Sequence, residues 1–267
     1  MSDATENFSS FITVNGAKLF LDSTDGRAAA LLRRRDLLHP TATALWQLAI
    51  NSASWDWVID VGANYGEMLV GTDLPSGSTV VAVEPNQRVL PYLARSLQDA
   101  IPTATILPCA VSDVCGTATM HEDLTWSGNS TLEGEWVAER ADHTWRRIDV
   151  PALTLPKLLT EIGVRRDDAV LIKLDIEGHE GTVMRTALGS LRDLSRCAVM
   201  VELVRLCEAD LSWLLTEFCV TVLDVHRSVL VSADGMSVAE LSSLIEEGDV
   251  HQRDVLAVPR RDRTSRC

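Results

Sequence analysis

The sequence predicts an α/β fold in which a mostly parallel sheet is covered by helices on both faces. Short apolar runs rich in β-branched residues alternate with segments of helical periodicity. Several runs end in an acid, and the first continues into a glycine-punctuated loop. Such strand–loop–helix repeats are typical of sheets that are buried on both sides. The predicted strands are Trp57–Asp60, Thr79–Glu84, Ala104–Pro108, Ala169–Ile176, Ala198–Leu203, Val220–His226 and Val255–Pro259.

The chain divides into an N-terminal extension, residues 1–55, and a main domain, residues 56–260. The extension is predicted to cap the domain, with a hairpin over 11–21, where an Asn-Gly pair marks the turn, and a helix over 38–50. Residues 114–150 interrupt the strand–helix alternation. Long polar insertions in compact α/β domains often carry function, so this segment is predicted to lie on the substrate side.

Composition narrows the classes of partner. A net charge of −14 argues against binding to nucleic acid or to anionic lipid. No apolar stretch approaches the roughly 20 residues that span a bilayer, and the first residues lack the pattern of a signal peptide. The cysteines form no C-x-x-C pair. We therefore expect a cytoplasmic protein with a small-molecule acceptor, and a homodimer formed through the N-terminal segment is a further expectation.

The loop after the first strand reads Asp60-x-Gly62-x-x-x-Gly66. Its glycines let a ligand approach the backbone, and the following helix presents its N-terminal dipole. A dinucleotide loop has a further glycine where this chain has Asn64, and a nucleoside-triphosphate loop needs a Gly-Lys-Ser/Thr sequence that is absent. The loop therefore favours a nucleoside ligand without pyrophosphate, such as S-adenosylmethionine (SAM). We expect Asp60 to face its cationic region, and Asn64 and the loop N–H groups to bind its carboxylate.

Glu84 ends the second strand near the offset of about 20 residues at which Rossmann folds place a ribose-binding acid. We interpret it as the ligand of both ribose hydroxyls; the alternative is a solvated strand-end acid. The loop Cys109–Asp113 follows the third strand, where an adenine edge would lie. Ser112 and Asp113 are predicted to bond the base, although a plain turn also explains this loop.

Three acids and a histidine follow the strand that begins at Ala169. Ligands of open α/β sheets bind beyond the carboxyl ends of the strands, so we expect Asp175 beside the methyl donor and Glu177 and His179 on the acceptor side. A cluster that caps the next helix is the alternative. Glu202 ends the next strand within an apolar run, where a lone carboxylate is costly unless it has a partner or a role.

Methylation of a hydroxyl gains from a base that works near neutral pH. The candidates for this role are His143, Asp175 and Glu202, and Asp142 lies beside His143 where it would orient the imidazole. The main interpretation includes no metal. The alternative is Mg²⁺ held by Asp175 and Glu202, which would acidify the hydroxyl.

The ordered motifs resemble the FkbM family of SAM-dependent methyltransferases over most of residues 55–258. The matching segments are Asp60–Gly66, Val83–Pro85, Ala110–Asp113, Ile172–Glu180 and the strand that carries Glu202. The resemblance implies a class I methyltransferase fold, Rossmann-like, with a seven-stranded sheet that contains one antiparallel strand. It also implies methyl transfer to oxygen, often on sugars or secondary metabolites. The chain departs from the family pattern at Tyr65 and His179.

We therefore predict a SAM-dependent O-methyltransferase that acts on a hydroxyl of a small saccharide or glycosylated metabolite. Tryptophans of the insertion would stack on sugar rings, and acids would bond hydroxyls. The alternatives are O- or N-methylation of a polyketide or peptide, a non-catalytic SAM-binding protein, and a nicotinamide enzyme, which the loop disfavours. The residues expected to bind the acceptor are Tyr65, Trp126, Asn129, Glu177 and His179.

Overall fold

The computed structural model describes residues 8–247 and 253–261. The chain begins with a two-stranded antiparallel hairpin, which confirms the turn predicted from the Asn-Gly pair. The predicted helix over 38–50 is present. A further helix precedes it, which the sequence analysis missed. The N-terminal elements are β1 (Phe11–Val14), β2 (Ala17–Phe20), α1 (Gly26–Arg34) and α2 (Pro40–Asn51).

From residue 57 onward, strands and helices alternate as predicted, except in the segment between the third and fourth strands of the central sheet in chain order. In chain order they are β3 (Trp57–Val61), α3 (Glu67–Val70), β4 (Thr79–Val83), α4 (Leu90–Ala100), β5 (Thr105–Leu107), β6 (Ala110–Ser112), β7 (Gly116–Asp123), a 3₁₀ turn (Ser127–Asn129), α5 (Gly134–Glu139), β8 (Trp145–Thr154), α6 (Leu155–Ile162), β9 (Ala169–Leu174), α7 (Glu180–Asp193), β10 (Arg196–Glu202), α8 (Glu208–Glu217), β11 (Phe218–Asp224), β12 (Val229–Ser232), α9 (Val238–Glu247) and β13 (Asp254–Pro259).

The central sheet has the order β12-β11-β13-β10-β9-β3-β4-β5. The strands from β10 to β5 are parallel, and β13 runs antiparallel to both of its neighbours. The predicted fold class is confirmed and all seven predicted strands are present. The sheet has eight strands rather than seven because β12 adds to the edge through a hairpin with β11. This edge strand is largely exposed and therefore gives little burial pattern in the sequence.

Two apolar clusters lie on the two faces of the sheet. One face packs against α6, α7 and α8, and the other against α1, α2, α4 and the N-terminal hairpin. Trp46 of α2 is fully buried in the second cluster, and α2 contacts β9, β10 and β13. Residues 8–51 therefore fill one face of the sheet.

The interruption of the alternation is a small second sheet with the order β6-β8-β7. The antiparallel pairing of β7 with β8 runs from Gly116 opposite Ala152 to Asp123 opposite Trp145. The two strands hold residues 124–144 as a polar excursion between them. In the described part of the chain, no helix combines the length and apolar character that a bilayer crossing needs.

Candidate active site

The loop between β3 and α3 lies against the end of β9. Gly62 has φ +84°, and a Cβ added there would lie 1.8 Å from the carbonyl oxygen of Asp175. Asn64 and Gly66 also adopt positive φ, at 46° and 87°. Only glycine fits at position 62, because the backbone of β9 occupies the space of any side chain. The two strand ends are thereby held in contact.

The backbone N–H groups from Gly62 to Gly66 all donate within the chain. Gly62 and Ala63 donate to Val83, Asn64 to the Glu84 carboxylate, Tyr65 to the Asn64 side chain, and Gly66 to Ala63. The expectation that these groups bind a ligand carboxylate is therefore wrong: the turn uses them for its own shape.

Asp60 is fully buried at the end of β3, and neither carboxylate oxygen has a hydrogen-bond partner among the residues described. The closest cation is Lys173, whose Nζ lies 4.0 Å from Oδ1. Burial raises the pKa of Asp60 to about 6. A buried carboxylate without partners is costly, so a cationic ligand group nearby would stabilise its ionised form.

Glu84 lies beside the loop, where it was predicted, and is 5% exposed. Its two oxygens accept from the backbone N–H groups of Asn64 and Asn86, both at 2.8 Å. Burial raises the pKa of Glu84 to about 7, and these two hydrogen bonds oppose the rise. The second lone pair of each oxygen is left for other donors.

Glu84 lines the smaller of two neighbouring cavities, which has about 660 Å³ of space. Cys109, Ala110 and Val111 form part of its wall. Ser112 and Asp113, predicted to bond an adenine, are not among the lining residues that the structure describes. The Ser112 hydroxyl instead bonds Asp113 and His179, at 3.1 Å each. The residues just before the predicted pair, rather than the pair itself, therefore line this cavity.

The larger cavity has about 1840 Å³ of space and opens beside the smaller one. It lies between the carboxyl ends of the strands and the excursion 124–144. His39 contributes from the N-terminal segment. The residues that line both cavities are Arg27, Gly62, Asn64, Asp175 and Glu177.

The acid cluster predicted at the strand ends is assembled at this shared wall. Ligand oxygens of Asp175, Glu177 and Glu202 lie within 4.8 Å of one another. Two of the three acids are paired, because Lys173 lies 2.7 Å from Asp175 and Arg205 lies 2.7 Å from Glu177.

The three carboxyl groups differ in their acidity. Burial opposes ionisation of Asp175, but Lys173 lowers its pKa below the ordinary value. Burial and then Asp175 raise the pKa of Glu177 to about 7. Burial, followed by the negative charges of Asp175 and Glu177, raises the pKa of Glu202 well above its ordinary value. These effects favour the protonated form of Glu202 more than that of Asp175.

His143 also lines the larger cavity. Its Nδ1 lies 2.5 Å from Oδ2 of Asp123, which is fully buried. Asp142 was expected to orient this imidazole, and that expectation is wrong: Asp142 is exposed, and Asp123 makes the contact. Trp145 stacks on the His143 ring at 6.3 Å between centroids.

Five further residues of the excursion line the larger cavity: Trp126, Asn129, Trp136, Glu139 and Arg140. The Asn129 amide donates to Asp123, at 3.0 Å. The Arg205 guanidinium lies 4.6 Å from the centre of the Trp136 ring. Trp126 and Asn129 are thus placed where acceptor-binding residues were expected.

Tyr65 and His179 are held in the framework around the cavities. The hydroxyl of fully buried Tyr65 donates to Asp25 at 2.9 Å. His179 contacts Glu133 through Nδ1 at 2.6 Å and Ser112 through Nε2. Neither is among the described residues that line a cavity, so the structure does not bring them to the acceptor as expected.

Several residues of the site were missed from the sequence. Lys173 had a signal, because a lysine within the apolar strand Ala169–Leu174 requires buried partners. Arg27 and His39 had none, since they reach the cavities only through the packing of α1 and α2 on the sheet. Arg27 donates to Glu67 at 2.7 Å and lines both cavities.

The sequence-family model for the methyltransferase FkbM domain matches residues 60–226 of this chain. Similar solved structures include a precorrin-6y C5,15-methyltransferase from Geobacter metallireducens, 11% identical, with a TM-score of 0.39 over 82% of this chain and 87% of that one. An O-methyltransferase from Bacillus cereus in complex with SAH is 13% identical, with a TM-score of 0.40 over 87% and 86%. No curated protein matches the sequence. The likenesses to these solved structures are remote.

Proposed function

Because the chain belongs to the FkbM methyltransferase family and uses SAM as its methyl donor, we propose that it methylates a hydroxyl of a small saccharide or glycosylated metabolite. The observation that carries this proposal is the common wall of the two cavities. A donor in the smaller cavity would meet an acceptor in the larger one across Gly62, Asn64, Asp175 and Glu177. Transfer would then depend mainly on how the two cavities position the donor and the acceptor across this wall.

The residues of the smaller cavity fit SAM. Glu84 keeps lone pairs for the ribose hydroxyls. Asp60 is not among the described residues that line either cavity, so its unpartnered carboxylate would act on the cationic region through its charge rather than by contact. The backbone of Cys109–Val111 would border the adenine. Arg27, rather than the loop N–H groups, would take the carboxylate, since it lines both cavities. When bound, SAM supplies a methyl group on a positively charged sulfur.

The larger cavity suits an acceptor with several hydroxyl groups. Glu202, Glu177 and Asp175 offer donors and acceptors at one end, and Asn129 offers an amide. The indole rings of Trp126 and Trp136 provide flat apolar surfaces for the CH faces of a sugar ring. Polar groups that bond hydroxyls discriminate strongly against acceptors that lack them.

His143, Asp175 and Glu202 are the candidates for the residue that accepts the hydroxyl proton. The mechanism we favour does not use a metal, because Lys173 and Arg205 already neutralise two of the three carboxylates that would hold it. A divalent cation at this cluster would compete with both cations for the same oxygens.

A labelled-methyl screen tests the proposal. The full chain is incubated with methyl-¹³C SAM and a panel of monosaccharides, glycosides, polyketides and peptides. We expect the label on an oxygen of a saccharide or glycoside. Label only on polyketides or peptides, or on nitrogen or carbon, would overturn the proposed acceptor class.

A further inference from the structure

We propose that His143 and Asp123 act as a pair in which Nε2 of His143 takes the acceptor's hydroxyl proton and Asp123 fixes the imidazole. This inference rests on the proposed function, methylation of a hydroxyl. His143 would be the catalytic residue and Asp123 the positioning residue.

Hydrogen bonds hold the Asp123 carboxylate in one orientation. Its carboxylate is fully buried and accepts from the backbone N–H groups of Thr125 at 2.8 Å and Trp126 at 3.1 Å, both through Oδ1. Oδ2 accepts from Asn129 at 3.0 Å and contacts His143 Nδ1 at 2.5 Å. With three donors already on it, this carboxylate serves as an acceptor toward the imidazole as well.

The contact with Asp123 therefore fixes the tautomer of His143. Because a carboxylate only accepts, Nδ1 carries the hydrogen and Nε2 keeps its lone pair. No hydrogen bond joins Nε2 to any residue that the structure describes, and the His143 side chain lines the larger cavity. Trp145 covers one side of the ring. The lone pair of Nε2 therefore has no partner among the described residues and belongs to a residue that lines the larger cavity.

Asp123 also connects His143 to the wall between the two cavities. Asp123 holds Asn129, which ends the 3₁₀ turn that begins at Ser127. Ser127 bonds the Asn64 side chain at 3.3 Å, and Asn64 lines both cavities. The imidazole and the loop at Asn64 are therefore connected through Asp123, the 3₁₀ turn and the hydrogen bonds at either end of that turn.

The carboxylates at the shared wall are poorer bases. Asp175 is paired with Lys173, which lowers its pKa, so it has little affinity for a proton. Glu177 is engaged with Arg205. The Glu202 carboxylate lies within 4.8 Å of those of Asp175 and Glu177, and desolvation together with their negative charges raises its pKa well above the ordinary value, which favours its protonated form. Of the candidates, His143 has both an oriented lone pair and access to the cavity.

The proposed reaction transfers one proton and one methyl group. The acceptor's O–H bond breaks and its proton goes to Nε2 of His143, while the acceptor oxygen forms a bond to the methyl carbon. The bond from that carbon to the sulfonium sulfur breaks, and its electron pair stays on sulfur. The imidazolium, paired with Asp123, then returns the proton to water.

The test combines ¹⁵N-histidine NMR of the full chain with the rate of ¹³C-methyl transfer to the hydroxyl acceptor that the wild-type protein labels in the screen. The variants are His143→Gln, Asp123→Asn and the matched control Asp142→Asn, which alters the exposed neighbouring acid. We expect Nδ1–H in wild type and in the control, and loss of that preference in Asp123→Asn. His143→Gln should lower the rate roughly 10²–10⁴-fold and remove the acid limb of the pH–rate profile.

Each result decides one point. An Nε2–H tautomer in the wild-type protein, or an unchanged rate in His143→Gln, would overturn the proposal that His143 and Asp123 act as a pair. If Asp123→Asn unfolds, the wild-type tautomer and His143→Gln still decide. A wild-type protein that labels only nitrogen or carbon defeats the proposed function and the base role with it. A wild-type protein that labels a hydroxyl while His143→Gln keeps its rate defeats only the pair.

Discussion

The two cavities share one wall but are built in different ways. Strand ends and the loops after them form most of the smaller one, so that Gly62, Glu84 and Asp175 meet through the register of the sheet. Part of the excursion, between Ser127 and Leu132, completes its wall. The larger one is lined from the N-terminal helices, the excursion 124–144 and the last strand. The proposed donor site is therefore formed mainly by the strand ends of the sheet, whereas the proposed acceptor site depends more on the N-terminal helices and the excursion.

This difference predicts which substitutions should affect the binding of SAM and which should affect only the acceptor. Substitutions in the smaller cavity should alter the affinity for SAM whatever the acceptor. Substitutions in the larger cavity should alter the acceptor's KM or the rate and leave the affinity for SAM unchanged. Each prediction below tests that separation.

Gly62→Ala should have the largest effect, a loss of SAM affinity of roughly 100-fold or more, because its Cβ would lie 1.8 Å from the Asp175 carbonyl oxygen. The strain of a positive φ alone would account for about 1–3 kcal/mol. Calorimetric titration with SAM measures the affinity, and a thermal melt reports folding. Gly77→Ala is the control, since Gly77 has φ +100° with nothing within 4 Å. Equal effects of the two substitutions would contradict the close approach.

Glu84→Gln should weaken SAM binding by roughly 10–100-fold, because charge-assisted hydrogen bonds contribute about 1.5–3 kcal/mol each. Asp113→Asn is the matched control, because Asp113 lies outside the described lining of the smaller cavity. Calorimetry on both variants decides. A larger loss in Asp113→Asn would restore the base-binding role expected from the sequence.

The affinity for SAM should also depend on pH through Glu84. Burial raises the pKa of this carboxyl to about 7, so lowering the pH through 7 protonates it and removes an acceptor of the ribose hydroxyls. Affinity should be constant above that pKa and fall by up to about 30-fold at pH 5.5. Titrations between pH 5.5 and 8.5 measure this. A profile that is unchanged in Glu84→Gln would assign the dependence to another group.

Glu202 should give the smallest effect, confined to the acceptor. Since burial and neighbouring acids favour its protonated form, Glu202→Gln should retain most of the activity. Glu202→Ala should raise the acceptor's KM about fivefold by removing a neutral hydrogen bond. Steady-state kinetics measure both. Equal losses in the two variants, with recovery of Glu202→Gln in excess Mg²⁺, would support the metal alternative instead.

The residues of the smaller cavity were easier to predict from the sequence than those of the larger one. The loop Asp60–Gly66 and Glu84 were identified because their signals are local: a strand, a turn and an acid at a fixed spacing. Asp123 was not recognised as the partner of His143, because pairing between β7 and β8 sets their contact and the sequence does not display that register. Asp142 was chosen on adjacency, but its side chain is exposed.

The central sheet was predictable for the same reason as the donor loop. Buried parallel strands read as continuous apolar runs, and each end acid marked a strand terminus. Helix α1 and strand β12 were missed. The first reaches the site through Arg27 only after packing, and the second is an exposed edge strand. Signals of long-range packing are weak in a single sequence.

The most direct test of this account is a crystal structure of the full chain with S-adenosylhomocysteine. The account predicts the ribose hydroxyls on Glu84, the amino-acid end beside Asp60 and Arg27, and the sulfur facing the larger cavity across Gly62 and Asp175. A ligand whose sulfur faces away from that cavity, or one seated in the larger cavity itself, would contradict the division into donor and acceptor sites.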